Sequence, residues 1–385
     1  MSTPFPRRGA RVALAAGIAL ALALAPAVSP PARAAQQAAA SQLVGFAVGQ
    51  DGRLYRATSA GVAPFGSAVV APPGAAVSAV RQSDGNVAVF VVGTQGGLVA
   101  AVTNSASSGV TVYRDGATGI APPGARLNAV TDPAGVVHVF FVGHDGAVYG
   151  TSYSGAVRPG SGPKRVSATG VAPPGATVAG AWQSAQPGVV VVDVAGGLTS
   201  VWRTTAGTWT TVPAGPAGVA AAGGGVAAVS TAGVQAYYAG LDGKLWQVRF
   251  ASGPVPVPWA PTAVSGAGVV PAGARLAAAR FVNGPSSVFF AGADGAVRVV
   301  TDQTGSWVES PTTPAGVARP GSPLALVAVD DFVYSAWCGN DLWWWLRWWW
   351  RLPPPPPPPW YGDTFTLPVA NPIQYATEVA VTLYR

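Results

Sequence analysis

Catalysis needs convergent acids, bases or nucleophiles, and this chain carries few of them. There are two histidines, His138 and His144, two glutamates, Glu309 and Glu378, and one cysteine, Cys338. His138 stands inside the apolar run Val136 to Val142, where a packed or hydrogen-bonded ring is expected, and His144 stands beside a turn, where water reaches it. The two are six residues apart with no Glu or Cys at ligand spacing, so a zinc site is poorly supported. Asp51, Asp145, Asp242 and Asp294 each precede a glycine. Asp-Gly suits a two-residue hairpin turn with positive φ, which gives these carboxylates a structural task. A glycosidase needs two opposed carboxylates at a defined separation. The one adjacent acidic pair, Asp330-Asp331, is flanked by Val329 and Phe332 and reads as a hairpin bend. The expectation is therefore a chain with no catalytic residues, no metal and no cofactor, although a glycoside hydrolase or lyase stays open as an alternative.

Aromatic and arginine residues form a more regular pattern. Tyr55, Tyr149, Trp202, Trp246 and Trp343 follow within six residues of a turn position, and Arg56, Arg203, Arg249 and Arg298 lie on the same segments. A sugar has an apolar C–H face and a rim of hydroxyls, so a ring beside a guanidinium binds it without any catalytic group. The candidate ligand-binding residues are Tyr55, Arg56, Tyr149, Trp202, Arg203, Trp246 and Arg249. The competing reading is that the rings fill gaps between packed sheets.

The elements that position these residues are repeated hairpins. An apolar run, a Gly-containing turn and a second apolar run recur seven times, with turn glycines Gly52, Gly96, Gly146, Gly196, Gly243 and Gly295 and with Asn340 as the last equivalent. The steps are 44, 50, 50, 47, 52 and 45 residues. A second marker runs in phase, a loop such as Ala121 to Ala125 (APPGA), in which proline and glycine stop one strand and redirect the chain. The unit from Gly124 to Pro174 resolves into strands at Arg126 to Thr131, Val136 to Gly143 and Ala147 to Tyr153, with a fourth near Pro163 to Thr169. Four strands per period of this length predict an all-β fold, a seven-bladed β-propeller of four-stranded antiparallel blades. The first unit begins at Gln42 without its first strand, and Glu378 to Tyr384 is a strand with no hairpin after it. The C-terminal strand is expected to pair into the first blade and close the ring, leaving neither edge unpaired.

Composition agrees with sheet. Fifty glycines and 37 prolines break helical runs, while the Val-rich segments suit buried strands. Residues 1–35 read as a secretory signal, with Arg7, Arg8 and Arg11 before an apolar stretch and a small-residue site cut before Ala35; Arg7-Arg8 leaves the twin-arginine route open. Its removal lowers the formal charge from +7 to +3 and leaves no clustered basic stripe for nucleic acid. The apolar stretch is too short for a stable membrane span, and residues 36–385 form one propeller domain. Oligomeric state is not legible. Residues 342–360 interrupt the pattern as an irregular insertion in the last blade, holding half of the 14 tryptophans before a run of seven prolines. A shifted reading frame, an exposed loop, a membrane-active Trp/Arg patch and a polyproline arm are the alternatives for it.

The hairpins GFAVGQDGRLYR, FFVGHDGAVY and YYAGLDGKLW, with their Pro-Gly crossovers, resemble those of the PLL-like seven-bladed β-propeller lectins of bacteria, and more loosely the tectonin and tachylectin propellers. The resemblance spans roughly Gln42 to Arg385. It implies a secreted, non-enzymatic ring that binds carbohydrate or glycoconjugate, fucose-like or methylated sugars among them, at several weak sites between blades. Unevenness among the hairpins limits the sites to about three blades if sites follow the aromatic residue. A protein-binding scaffold or adhesin is the remaining alternative.

Overall fold

The computed structural model describes residues 42–384 apart from 59–60, 105–108, 159, 161, 185, 232, 254–255, 281–284, 304, 330–331, 339–341, 350–363 and 369–379. The expected signal, Asp330-Asp331, Asn340, the proline run and Glu378 lie outside the described residues. Among the described residues there is no helix, and none therefore that is long and apolar enough to cross a membrane.

The described strands form seven antiparallel sheets. The first joins Ala380–Tyr384, Gln42–Val48, Arg53–Thr58 and Gly61–Val69. The second runs Ser78–Arg81, Val87–Val92, Leu98–Asn104, Gly109–Asp115, and the third Leu127–Thr131, Val137–Val142, Val148–Tyr153, Lys164–Arg165. The fourth is Val178–Gln183, Gln186–Val192, Leu198–Arg203, Trp209–Pro213. Val226–Ser230, Val234–Ala239 and Leu245–Ala251 make the fifth, edged by Val257–Pro258 and Thr262–Ala263. Leu276–Arg280, Ser286–Ala291, Val297–Gln303 and Ser306–Pro311 make the sixth, and Leu324–Val329, Phe332–Cys338, Leu342–Trp349 and Thr364–Pro368 the seventh.

The C-terminal strand pairs antiparallel with the N-terminal one, Leu43 opposite Leu383 and Phe46 opposite Ala380. The first strands of successive sheets touch in order from Ser78–Arg81 through Leu324–Val329, and Ala380–Tyr384 touches both of those ends. This is the β-propeller arrangement. The first strands of the second to seventh sheets line a cavity of about 360 Å³, with Arg126, Asn128 and Arg275 on its wall.

The second strands explain the unbroken apolar runs. Val87–Val92, Val137–Val142 and Ser286–Ala291 are buried at every residue because a neighbouring sheet covers each face. Phe90, Phe140, Phe141 and Phe289 are at most 1% exposed, and burying each contributes roughly 1.5–3 kcal/mol.

Two sequence expectations need correction. The turn is not a two-residue one: Gly143 N donates to Ala147 O at 2.9 Å and Gly146 N to Gly143 O at 3.1 Å, enclosing three residues, of which Gly146 alone has positive φ, at 70°. This is the type I turn with a glycine bulge, and it leaves the aspartate in an ordinary conformation. A Cβ on Gly146 would lie 2.7 Å from Ala172 O, because the turn docks against the Pro-Gly crossover and Gly146 O accepts from Ala172 N at 3.0 Å. The two sequence markers run in phase because they are bonded to each other. The tryptophan segment is also more regular than expected. Over its described part, Leu342–Trp349 is a ladder strand between Phe332–Cys338 and Thr364–Pro368, as suits the enrichment of Trp in strands.

Candidate functional site

Most of the aromatic residues singled out from sequence hold the turns together. Each stands three residues after a turn glycine and reaches back to the aspartate before it. Tyr55 Oη donates to Asp51 Oδ2 at 2.8 Å, Tyr149 Oη to Asp145 Oδ2 at 3.2 Å and Trp246 Nε1 to Asp242 Oδ1 at 3.2 Å. Arg298, at the same position, donates to Asp294 Oδ2 at 2.7 Å and to Glu309 Oε1 at 2.6 Å, and its guanidinium holds Asp294 below the ordinary carboxylate range. In the second sheet Gln95 replaces the aspartate, and Val99 replaces the donor.

These rings have little free surface. The Tyr149 ring stacks on Phe141 at 5.8 Å, the Trp246 ring on Tyr238 at 6.5 Å, and Lys244 Nζ lies 5.7 Å from the Trp246 centroid. Tyr55 is buried. Trp202 corrects its assignment as a ligand-binding ring: it is 1% exposed, packs edge-on to Phe250, and lies so close over Gly188 that a Cβ there would be 1.9 Å from its ring. The exposed arginines Arg56, Arg203 and Arg249 remain available.

A different position, further along the third strands, shapes the surface between sheets. The residue six after the turn glycine in one sheet approaches the residue seven after it in the next. Between the second and third sheets, Val102 and Tyr153 share an apolar cluster; Tyr153 stacks on Phe90 at 5.9 Å and its hydroxyl donates to Asp115. Between the fourth and fifth, Trp202 meets Phe250. Both crevices are sealed by aromatic packing. The alternate crevices are polar. Between the third and fourth sheets, His138 and its partner Ser152 neighbour Arg203, and between the fifth and sixth, Arg249 pairs with Asp302 at 3.7 Å.

The crevice between the fifth and sixth sheets is the best-built site. Trp259 N donates to Arg249 O at 2.8 Å, the next rung of the ladder that sets Phe250 opposite Pro258. Residues directly opposite in an antiparallel pair share a face, so this bond puts Trp259 and Arg249 at one rung of the sheet edge. Trp259 is 59% exposed. Behind it runs a polar network: Arg249 Nε donates to Gln247 Oε1 at 3.0 Å, Gln247 Nε2 to Tyr237 Oη at 3.2 Å, and Tyr237 Oη to Gln235 Oε1 at 2.7 Å. Burial pushes the Tyr237 phenol up to about 12, so it stays a neutral donor. Across the crevice Asp302 is opposite Trp307 in its own ladder, and Trp307 meets Tyr237 edge-on at 5.9 Å. A guanidinium oriented by Asp302 and Gln247, with an exposed indole on the adjoining edge segment, offers donors, an acceptor and an apolar plate to a small polar ligand. Among the described residues no cluster of His, Cys, Asp and Glu is placed to hold a metal ion.

Sequence reasoning found Arg249 and missed Trp259, Asp302 and Gln247. Trp259 lies in the proline-rich stretch Pro254 to Pro261, off the hairpin pattern, and Asp302 is four positions from Arg298 in no motif that the hairpins share. The signal available was the 52-residue step, the longest of the repeats, which marks the added edge strands on either side of Trp259.

No protein-family model and no curated protein matches the chain. Among solved structures it is similar to the BP39L lectin from Burkholderia pseudomallei, at 26% identity and a TM-score of 0.71 over 85% of this chain and 95% of that one. It is also similar to AofleA from Arthrobotrys oligospora, at 11% identity and a TM-score of 0.56 over 81% and 90% of the two chains. The SapL1 lectin, solved with alpha methyl fucoside, matches at 14% identity and a TM-score of 0.52 over 77% and 97%. The two more distant likenesses bear on fold alone.

Proposed function

We propose that this protein is a lectin-like β-propeller that binds carbohydrate without turning it over, with its main site in the crevice between the fifth and sixth sheets. The observation that carries the reading is the Arg249–Asp302 ion pair across the crevice, with the exposed Trp259 bonded through its backbone to Arg249. Similarity to the BP39L lectin supports it. The alpha methyl fucoside held by SapL1 makes fucosides the first ligands to try. The ring is proposed to be seven-bladed and closed by the pairing of Ala380–Tyr384 with Gln42–Val48, a reading that the succession of sheet contacts supports. Residues 1–35 are proposed to direct export and to be removed.

The alternation of sealed and polar crevices argues for fewer sites than sheets. Weak individual sites then depend on multivalent presentation for tight attachment. A glycan array probed with the full chain and with Trp259→Ala tests the reading. Binding to a set of glycans that the variant loses is the expected result; an array silent for the full chain overturns it and favours a protein-binding scaffold.

A further inference from the structure

The crevice between the third and fourth sheets holds a different constellation at the same place. His138 Nδ1 lies 2.8 Å from Ser152 Oγ, and His138 Nε2 lies 3.1 Å from Asp132 Oδ2. The His138 and Asp132 side chains are only 4% and 6% exposed, whereas Ser152 is exposed. The hydrogen-bond roles follow from the carboxylate. Asp132 Oδ1 already accepts from Ala134 N and Val136 N, each at 2.9 Å, which fixes the group in its turn. Oδ2 accepts the His138 Nε2 proton, so in the neutral ring Nδ1 is the acceptor and Ser152 must donate. A hydroxyl, a base and an orienting carboxylate in hydrogen-bonded sequence is the arrangement that activates a serine nucleophile.

The repeat supplies an internal comparison. The cross-strand pair eight before and six after the turn glycine is Ala88–Val102, Gly188–Trp202, Gln235–Arg249 and Ser287–Thr301 in other sheets. None of these brings together a hydroxyl, an imidazole and a carboxylate. In the third sheet the rung is His138–Ser152, and the tight turn that opens the second strand begins with Asp132.

We propose that Asp132, His138 and Ser152 form an acyl-transfer centre that takes small carboxylic esters, with Ser152 as nucleophile, His138 as general base and Asp132 as a positioning residue. Ser152 Oγ attacks the ester carbonyl carbon while its proton passes to His138 Nδ1. The tetrahedral adduct collapses, the bond from carbon to the alcohol oxygen breaks, and the leaving alcohol takes the proton from His138. Water then attacks the acyl-serine, giving its proton to His138; the acid is released and the proton returns to Ser152. The charges acting on His138 are Asp132 from its own sheet and Arg203 from the next. Burial, reinforced by Arg203 and opposed by Asp132, lowers the imidazole pKa from its ordinary value and keeps the base neutral at pH 7. Arg203 also brings positive charge to the crevice where the oxyanion develops.

The test is covalent labelling of the full chain with an alkyl fluorophosphonate, read by peptide mass spectrometry, alongside p-nitrophenyl acetate hydrolysis. The expected result is an adduct on Ser152 that is absent in Ser152→Ala, with labelling slowed about 100-fold or more in His138→Gln. The labelling rate should rise with pH through a midpoint below about 6.5 and be displaced in Asp132→Asn, a change that a merely structural carboxylate would not produce. No Ser152 adduct on protein whose melting is cooperative overturns the proposal, as does an unchanged rate in His138→Gln. Neither readout involves carbohydrate, so its outcome is independent of the lectin reading.

Discussion

Trp246 Nε1 donates to Asp242 Oδ1 at 3.2 Å, tying the indole three residues after the turn glycine to the carboxylate just before it. Asp242 Oδ1 also accepts from Lys244 N at 3.1 Å, so one oxygen fastens both the turn and the strand that leaves it. Asp242→Ala is expected to lower the unfolding free energy by roughly 1 kcal/mol, read from the denaturant midpoint, while glycan binding stays intact. Loss of glycan binding with unchanged stability would move the ligand site to the turns.

Arg249→Ala and Trp259→Ala should each weaken glycan binding about tenfold or more, corresponding to roughly 1.4 kcal/mol, with little change in melting temperature. Both side chains are well exposed, and neither fills the core. Titration of an immobilised glycan with each variant measures the effect. Equal affinities for both variants and the parent would place the ligand elsewhere.

Deleting residues 374–385 removes the partner of Gln42–Val48 and bares a long apolar edge. The truncated chain is expected to aggregate or to melt far below the parent in a thermal scan with light scattering. A soluble product with unchanged melting would show that the first sheet stands without its fourth strand.

His138 gives the fold a pH dependence of predictable sign. Its pKa is lowered in the folded state, so as pH falls the unfolded chain takes up the proton first. Stability attributable to this group is present above about pH 6.5 and is lost as pH falls from there through the lowered folded-state value. Melting temperatures at pH 7.5 and pH 5 should therefore converge in His138→Gln relative to the parent. An equal acid-induced drop in both proteins would remove His138 as a cause.

The strands were largely legible because their cause is local and repeated. In the third sheet, Val136 to Gly143 was anticipated and Val137–Val142 is observed, a match set by apolar residues that must face sheets on both sides. The fourth strands were harder to read. Lys164–Arg165 is exposed and two residues long, so burial leaves no pattern in its sequence. The site was less legible still. Tyr149 and Trp246 are candidates from sequence for ligand binding or for filling gaps between sheets, yet their hydrogen bonds to Asp145 and Asp242 depend on a turn geometry that Asp-Gly alone does not specify. Trp259 meets Arg249 through a backbone bond just beyond an edge strand, and Arg249 meets Asp302 through the packing of two sheets, a contact 53 residues apart in sequence. For His138 the sequence supports a packed or hydrogen-bonded ring, and its partners come from a turn six residues back and a strand 14 residues on.

The antiparallel pairing of Gln42–Val48 with Ala380–Tyr384 also orders events in time. A ribosome releases the chain from its N-terminus, so the second to sixth sheets have all their strands available before the first one does. Gln42–Val48 must wait, one edge open, until Ala380–Tyr384 has been made. Whatever shields that edge during the interval is as much a requirement for this protein as any residue in its crevices.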